Sequence, residues 1–417
     1  MLSVFKIGDR VFYGWVVVGA IVATGFIMMG INSTFGVFFK SLEETFDLTR
    51  ATTSSVLSVR MVFSGAAAIL GGWAIDRYGP RKVVSVMGFF VGLSLILTGL
   101  TTASWQLFIT YGLLMSIGTG AVFVVMTSTV LRWFDRKRGL ALGIAGTGGG
   151  FGTAIFAPLS ASLINSLEWR TTIMLLGGVA WLVMLPVAQL IKKDPGEIGA
   201  LPDGEAPGYQ PAGAEREAGH LPKPPLSRVF RNQNFWAFLF IWLTMAFSSF
   251  FIMTHIVPHA IDIGFSSVQS ATILSVGGIA MLIGRLSAGI ISDRVSVKWV
   301  AIVSSLIQFA AILGLVWGRE LWMLYLFGLV NGLTFGGFGT SISMLIGSSF
   351  SLDNIGKILG ILEIGIFIGG AVGPYLGGLI FDNTGSYDTA FLIMGGTVLI
   401  RVLLLTVLRT DSAGQDR

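Results

Sequence analysis

The sequence predicts an all-α polytopic membrane protein with twelve transmembrane helices in two six-helix bundles. Three observations support this fold class. The mean hydropathy is +0.80, 53% of the 417 residues are hydrophobic, and only 12% are charged. Soluble globular domains do not reach such a composition. Apolar runs of about 20 residues, the length that crosses a hydrocarbon core about 30 Å thick, recur along the whole chain.

Six predicted spans precede a polar segment and six follow it. The first six lie at residues 11–39, 53–75, 83–102, 107–131, 139–163 and 171–191, and the second six at 235–261, 267–291, 299–317, 321–346, 358–380 and 390–408. The first span has the full length of a membrane helix, so we expect it to be retained rather than cleaved as a signal peptide.

The polar segment, residues 192–234, is rich in Pro, Gly, Glu and Lys. Such a composition cannot bury a core and is typical of a mobile tether, with a short surface helix as the alternative. We therefore expect an N-terminal six-helix bundle at residues 1–191, a cytoplasmic central linker at 192–234 and a C-terminal six-helix bundle at 235–417.

The formal net charge is +5, but the basic residues fall at helix ends and in loops rather than in one patch, so nucleic acid is not an expected partner. Most Lys and Arg lie in segments that share one side of the membrane. The positive-inside rule makes that side cytoplasmic and predicts that both termini lie there. With no Cys, and three His without metal-ligand spacing, we expect neither a metal site nor a cofactor.

An internal repeat relates the two halves at an offset of 217 residues. Gly72, Asp76 and Arg77 recur as Gly289, Asp293 and Arg294. On the fifth and eleventh spans, Gly139, Leu142, Gly143, Gly148 and Gly152 recur as Gly356, Leu359, Gly360, Gly365 and Gly369. A parallel repeat of two six-helix halves, with a site between them at the membrane midplane, is typical of transporters that move by alternating access.

The eighth span carries one charge, Arg285, eight residues before Asp293. At the helical rise it lies roughly 12 Å inside the helix end, close to the midplane. A guanidinium at that depth is costly and usually lines a polar cavity or pairs with a counter-charge. We therefore predict that Arg285 binds the carboxylate of a transported anion. The repeat aligns it with Ala68, so only the second half carries this charge.

A loop between the second and third spans resembles the signature loop of the major facilitator superfamily. It reads Gly72-Trp-Ala-Ile-Asp76-Arg77-Tyr-Gly79-Pro-Arg81-Lys82, and its second copy keeps Asp293 and Arg294. The resemblance implies the major facilitator fold, with Gly72 at a close helix contact, Asp76 pairing across the bundle, and Arg77, Gly79 and Arg81 completing the gating loop. Ordinary positive-inside anchoring of the loop is the alternative.

Two further stretches resemble the signatures of the monocarboxylate porter family. They are Tyr13-Gly14-Trp15-Val16-Val17-Val18 and Trp133-Phe134-Asp135-Arg136-Lys137-Arg138-Gly139-Leu140-Ala141-Leu142-Gly143-Ile144-Ala145. In that family an arginine on the eighth span binds substrate carboxylate, and Arg285 occupies the corresponding helix. The resemblance implies a carrier of small monocarboxylates such as lactate and pyruvate, moved together with a proton.

The chain departs from the pattern of that family in two places and from the pattern of the related oxalate/formate antiporters in a third. Animal members place an Asp one turn before the arginine, where this chain has Met281, and a Lys in the first span, where it has Ser33. Both are implicated in proton coupling in that family, so coupling here must use other groups or work differently. The related oxalate/formate antiporters pair the arginine with a lysine on the eleventh span, near Glu363 here. One arginine without a second cation favours a monoanion.

Five other polar residues complete the predicted site. His255 is a candidate for substrate binding and for proton coupling, and a satisfied or interfacial histidine is the alternative. Glu363 is a second candidate proton carrier, and a helix-pairing hydrogen bond is the alternative. Asn32, Ser33 and Asn331 are predicted to line the substrate cavity, although helix contacts explain the two asparagines nearly as well. Arg60 and Arg401 are assigned instead to snorkelling and to packing.

The sequence thus predicts an inner-membrane carrier whose partners are a small monocarboxylate, a proton and the lipid bilayer, with no obligatory protein partner. Anion exchange in the manner of the oxalate/formate antiporters is the alternative within transport. A membrane receptor that binds without transporting is the alternative from another class. No Ser/His/Asp, metal or paired-carboxylate constellation indicates an enzyme.

Overall fold

The computed structural model describes residues 6–7, 10–204, 230–292, 294–350 and 355–408. Two short antiparallel strands, β1 (Lys6–Ile7) and β2 (Arg10–Val11), precede the helices. The α-helices are α1 (Tyr13–Phe46), α2 (Arg50–Tyr78), α3 (Pro80–Gly99), α4 (Ser104–Leu107), α5 (Met115–Thr119), α6 (Val122–Trp133), α7 (Arg138–Leu190), α8 (Gln233–Asp262), α9 (Ser267–Ser292), α10 (Val297–Trp317), α11 (Leu321–Ser349), α12 (Ile355–Thr384) and α13 (Asp388–Val407).

Within the described residues, eleven helical stretches are long and apolar enough to cross a membrane, where the sequence predicts twelve spans. The difference lies in α7, which has 53 residues and would be about 80 Å long if straight. Its backbone leaves the helical region at Glu168, where φ is 63° and ψ is 166°. The helix is interrupted at this residue. The fifth and sixth predicted spans therefore correspond to the parts of α7 before and after Glu168.

The fourth predicted span is built from several pieces. A π-helix at Phe108–Leu114 connects α4 to α5, and a turn at residues 120–121 separates α5 from α6. This span packs closely on α3 and α2. A Cβ added to Gly118 would lie 2.5 Å from Val91 of α3, and one added to Gly120 would lie 2.6 Å from Ala67 of α2. Small residues let these helices approach closely, and the irregular backbone accommodates the approach.

The beginning of the predicted linker is folded. Residues Pro195–Ile198 and Pro202–Gly204 form short 3₁₀ helices. The Asp203 carboxylate accepts hydrogen bonds from the backbone N–H groups of Asp135 and Arg136, at 2.7 and 2.6 Å, just before α7 begins. These bonds tie the beginning of the linker to the loop between α6 and α7, so this part of the linker is anchored. Residues 205–229 lie outside the described part of the chain.

The chain divides into two compact units. The first comprises residues 1–32, 63–153 and 163–222, and the second comprises residues 33–62, 154–162 and 223–417. In the first unit, α7 packs closely on α1, since a Cβ added to Gly148 or Gly152 would lie 2.2 Å from the carbonyl oxygen of Val22 or Phe26, respectively. These glycines are therefore required by helix packing.

The second unit holds two closely packed helix pairs. Between α9 and α11, an added Cβ would lie 2.1 Å from a backbone oxygen at both Gly284 and Gly336. Between α8 and α12, the same holds at Gly369, which meets Leu243 at 2.1 Å. Buried aromatic and aliphatic side chains such as Phe238, Phe338 and Leu362 form the core around these pairs. The predicted site residues His255, Arg285, Asn331 and Glu363 lie on these four helices.

Candidate functional site

Arg285 lies on α9, and its backbone is held firmly against α11. A Cβ added to Gly336 would lie 2.9 Å from the Arg285 nitrogen, and the Thr340 hydroxyl donates a hydrogen bond to the Arg285 carbonyl oxygen at 3.4 Å. The residue itself is exposed. The predicted anion-binding residue is therefore carried by a rigid, glycine-packed helix pair.

Arg285 lies on a different side of α9 from the exposed aliphatic residues. Ile279, Ile283 and Ile290 are each at least half exposed and lie along one stripe of the helix. At 3.6 residues per turn, Arg285 lies roughly 120–160° around the helix from this stripe. Aliphatic stripes of this kind suit lipid, and a guanidinium does not. Arg285 is thus exposed on a side of α9 that is separate from this aliphatic stripe.

The three arginines inside the predicted spans differ in their exposure and in their contacts. Arg401 on α13 is 1% exposed, donates to the Gln308 side chain and lies over the Phe338 ring at 4.7 Å. Arg60 is 2% exposed and is likewise enclosed by the protein. Among the residues that the structure describes, the Arg285 guanidinium has neither an ion pair nor a hydrogen bond. Of these three arginines, Arg285 is the one whose side chain is exposed.

His255 on α8 is fully buried and hydrogen-bonded on both ring nitrogens. Its Nε2 lies 2.7 Å from the Pro374 carbonyl oxygen and its Nδ1 lies 2.9 Å from the Tyr387 hydroxyl. A carbonyl oxygen only accepts, so Nε2 carries the hydrogen and Nδ1 accepts from Tyr387. A neutral imidazole with its hydrogen on Nε2 satisfies both contacts, and both nitrogens are already engaged with the protein.

The remaining predicted residues have different local environments. Glu363 on α12 is half-buried, and it has no ion-pair or hydrogen-bond partner among the described residues. The Asn331 side chain accepts a hydrogen bond from Gln308 at 2.8 Å and so participates in the contact of α11 with α10. Asn32 is half-buried in the first unit, whereas Ser33 is fully buried in the second. Asn331 thus has the helix-contact role that the sequence left open.

The signature loop forms a polar network in the first unit. Asp76 pairs with Arg132 at 2.8 Å, and Arg81 donates to Gln189 at 2.8 and 2.5 Å. Gly79 has a φ of 83°, which favours glycine, and Arg77 lies over the rings of Trp73 and Tyr78. In the second copy, Arg294 is exposed and Asp293 lies outside the described residues.

One glycine of the loop has a different environment from the expected one. A Cβ added to Gly72 would make only ordinary contact, 3.7 Å from Val124, whereas one added to Gly71 would lie 2.3 Å from the Ala121 Cβ. The close helix contact expected at Gly72 therefore occurs at its neighbour. Adjacent residues point about 100° apart on a helix, and sequence alone does not fix which of two glycines faces the partner.

The structure also contains an ionic cluster that the sequence did not indicate. Arg50, 5% exposed at the start of α2, pairs with Asp262 at 2.6 Å and with Glu43 at 3.3 Å. Lys40 also donates to Asp262. These residues come from helices far apart in the sequence, and each one alone resembles an ordinary charge at a helix end. No local signal could have grouped them.

The fold and these residues define a secondary transporter. The family profile of the Major Facilitator Superfamily matches residues 21–318 and 262–417, and the chain belongs to this superfamily. Solved structures agree with the fold. A bacterial homologue of the human lysosomal transporter Spinster, in an inward-facing and unoccupied conformation, superposes with a TM-score of 0.72 at 14% identity, covering 96% of both chains. The nucleoside transporter NupG gives 0.72 at 14% identity, covering 94% of this chain and 99% of its own.

Within the superfamily, the resemblance to monocarboxylate porters is confirmed. The chain is 27% identical to human monocarboxylate transporter 11 over 93% of its length and 81% of the relative's. It is also 27% identical to bovine monocarboxylate transporter 13, over 93% and 87%, respectively. These relatives are transporters and not enzymes. The chain is accordingly a multi-pass membrane carrier that works by alternating access.

Proposed function

We propose that this carrier moves a small monocarboxylate, such as lactate or pyruvate, together with a proton. One observation carries the proposal: Arg285 lies mid-helix on α9, is exposed, and has no carboxylate partner among the described residues. An uncompensated guanidinium inside a membrane is costly, so a bound carboxylate would stabilise it. Bidentate hydrogen bonding by arginine suits a carboxylate particularly well. The names of the monocarboxylate transporter relatives point to the same substrate class.

The charge of the site favours a monoanion. Gln308 and Phe338 already engage Arg401, so it is not a second free cation. Glu363 occupies the region where a second cation would be needed for a dianion. A proton that accompanies the substrate would leave the moving complex with less charge to desolvate. Candidates for its carrier are His255 and Glu363.

Uptake of radiolabelled L-lactate into proteoliposomes tests the proposal, with and without an inward proton gradient. We expect gradient-driven uptake, and we expect Arg285→Ala to lower kcat/KM by at least about 100-fold, which corresponds to losing roughly 3 kcal/mol from a charged, desolvated contact. Leu286→Ala is the matched control, because Leu286 is the next residue on the helix and is 71% exposed. Normal transport by a folded Arg285→Ala variant would remove Arg285 from the site.

Anion exchange is the second candidate function, because the chain lacks the Asp and Lys that the monocarboxylate porters of animals use for coupling. Proteoliposomes loaded with lactate distinguish the two. Exchange predicts uptake only when a counter-anion is inside, with no response to the proton gradient. Symport predicts net uptake into empty vesicles.

The proposed carrier operates with two six-helix halves, residues 1–191 and 235–417, joined by the cytoplasmic linker at 192–234. The proposed location is the inner membrane. The proposed orientation places both termini in the cytoplasm, and it is supported by the distribution of basic residues.

A further inference from the structure

A continuous chain of hydrogen bonds runs through the second unit from the His255 imidazole to the Asp262 carboxylate. Tyr387, just before α13, is its central link, with a hydroxyl 2.9 Å from His255 Nδ1 and 2.9 Å from Arg50 Nη1. Arg50 then donates to Asp262 through both terminal nitrogens, at 2.6 and 3.0 Å. A guanidinium only donates, so the Tyr387 oxygen accepts from Arg50, and its hydrogen is directed to His255.

This chain ties together the ends of four helices. The backbone N–H groups of Arg50 and Ala51, at the start of α2, donate to Asp382 of α12 at 3.0 and 2.8 Å. Lys40 of α1 donates to Asp262 at the end of α8. The cluster therefore fastens the end of α1 and the start of α2 to helices from the second half of the sequence. The basic-residue distribution predicts that these ends lie on the outer side of the membrane.

A neutral His255 satisfies every hydrogen bond in this chain. Nε2 donates to the Pro374 carbonyl, and Nδ1 uses its lone pair to accept from Tyr387. Burial raises the pKa of Tyr387, so the phenol keeps its hydrogen near neutral pH. A proton from the aqueous phase can add only to Nδ1, which turns the imidazole from neutral to singly positive.

That proton would disrupt the chain. Tyr387 could no longer donate to Nδ1, and its hydrogen would need a new acceptor, for which the Asp262 carboxylate on the same Arg50 Nη1 is the candidate. Two cations would then contact one phenol oxygen in a buried space. The described charged and titratable groups around this point are Arg50 on α2, Asp382 on α12, Tyr387 before α13 and His259 one turn along α8, with Lys40 and Glu43 of α1 contacting Asp262 and Arg50.

We propose that Tyr387 transmits protonation of His255 to the Arg50–Asp262 ion pair, so that the proton loosens the ends of α1 and α2 from α8 and α12. This inference rests on the proposed proton coupling, and it specifies the residues through which proton binding would change the helix contacts. Tyr387 is a positioning residue, since it touches the proton-binding imidazole and the ion pair but needs no contact with substrate.

The absence of cysteine from the sequence allows a direct test. Ser54 is fully buried beside His255, with its oxygen 3.4 Å from Nε2, so Ser54→Cys reports opening at this point. The labelling rate with a membrane-impermeant maleimide is measured in proteoliposomes without substrate, at about pH 8 and about pH 6. Dividing by the rate for Glu44→Cys, an exposed position on α1, removes the pH dependence of the thiol itself.

We expect the normalised rate to rise on acidification by up to about tenfold per pH unit, the limit for one linked proton. Tyr387→Phe keeps the ring but removes the hydroxyl, and it should flatten the rise to less than about twofold. Tyr375→Phe, an exposed tyrosine on α12, is the matched control and should behave as the parent. Asp262→Asn should label rapidly at both pH values, because the ion pair is broken.

An unchanged acid response in Tyr387→Phe would overturn the inference, and so would a parent rate that does not change with pH. If Tyr387→Phe does not fold, His255→Gln replaces it in the test. Glutamine cannot take up the proton, so this variant should likewise show a flattened acid response, and an unchanged response would overturn the inference. The labelling needs no lactate. A flat labelling profile with normal gradient-driven uptake therefore refutes only this route, whereas acid-driven labelling without any uptake refutes only the proposed substrate or coupling.

Discussion

Two arginines in the second unit, Arg401 and Arg285, have different surroundings, which point to a structural role for the first and a binding role for the second. Arg401 is enclosed, with Gln308 as acceptor and Phe338 as a stacking surface. Arg285 is exposed on a side of α9 away from the aliphatic stripe and has no partner among the described residues. Both carry the same charge at comparable depth in their spans, so the contacts rather than the residue type identify Arg285 as the candidate ligand.

Glu363 provides the residue-scale prediction. If the coupling proton binds His255, Glu363→Gln should retain both counterflow and gradient-driven lactate uptake, because the substitution keeps size and removes only the titratable oxygen. Proteoliposome uptake measured with and without the gradient checks this, with Asp47→Asn, an exposed carboxylate after α1, as control. Loss of gradient-driven uptake with counterflow preserved would move the proton-carrying role to Glu363.

At the scale of elements, the glycines determine where the functional side chains lie. Those of α9 and α11 permit backbone contact, and this contact holds Arg285 in place from behind. The patterns of small residues on the fifth, eighth and eleventh spans predict close packing in general. They do not identify the contact partner of each glycine, as Gly71 and Gly72 demonstrate.

Gly336→Ala tests the role of this helix pair. The added methyl would lie 2.1 Å from the Met281 carbonyl oxygen and would force α9 from α11, so we expect a loss of stability of about 1–3 kcal/mol and a fall in uptake. Gly339→Ala, three residues further along α11, has nothing within 4 Å of the added methyl and is the control. Thermal unfolding of the detergent-solubilised protein measures the difference, and equal stabilities would contradict the packing argument.

At the scale of the whole molecule, the duplicated sequence contrasts with the compact units. The repeat divides the chain into two equal halves, while the second unit also includes residues 33–62 and 154–162 from the first half. Segments of α1, α2 and α7 thus pack with the second half through Arg50, Ser58 and Ala154, among others. The repeat relates residues by sequence similarity, whereas the compact units group residues by their contacts in this structure, so the two divisions of the chain differ.

Orientation gives a prediction at this scale. A fluorescent protein fused after Arg417 should fold and fluoresce, because that domain folds in the cytoplasm, and alkaline phosphatase fused there should be inactive. Phosphatase inserted at Gly264, in the turn between α8 and α9, should be active. The reverse pattern would invert the proposed topology and would place the Arg50 cluster on the inner side.

The sequence by itself determined the membrane class, the number of apolar segments, the internal repeat and the position of Arg285, because hydropathy and charge act over consecutive residues. The structure has eleven long apolar helices for twelve predicted spans because α7 holds the fifth and sixth of them, separated at the non-helical residue Glu168. Only the tertiary structure decided that Asn331 bonds to Gln308, that His255 is hydrogen-bonded on both nitrogens, and that Arg50, Asp262 and Tyr387 form one network. These contacts join helices up to several hundred residues apart, and each depends on which way a helix faces, which no local pattern in the chain specifies.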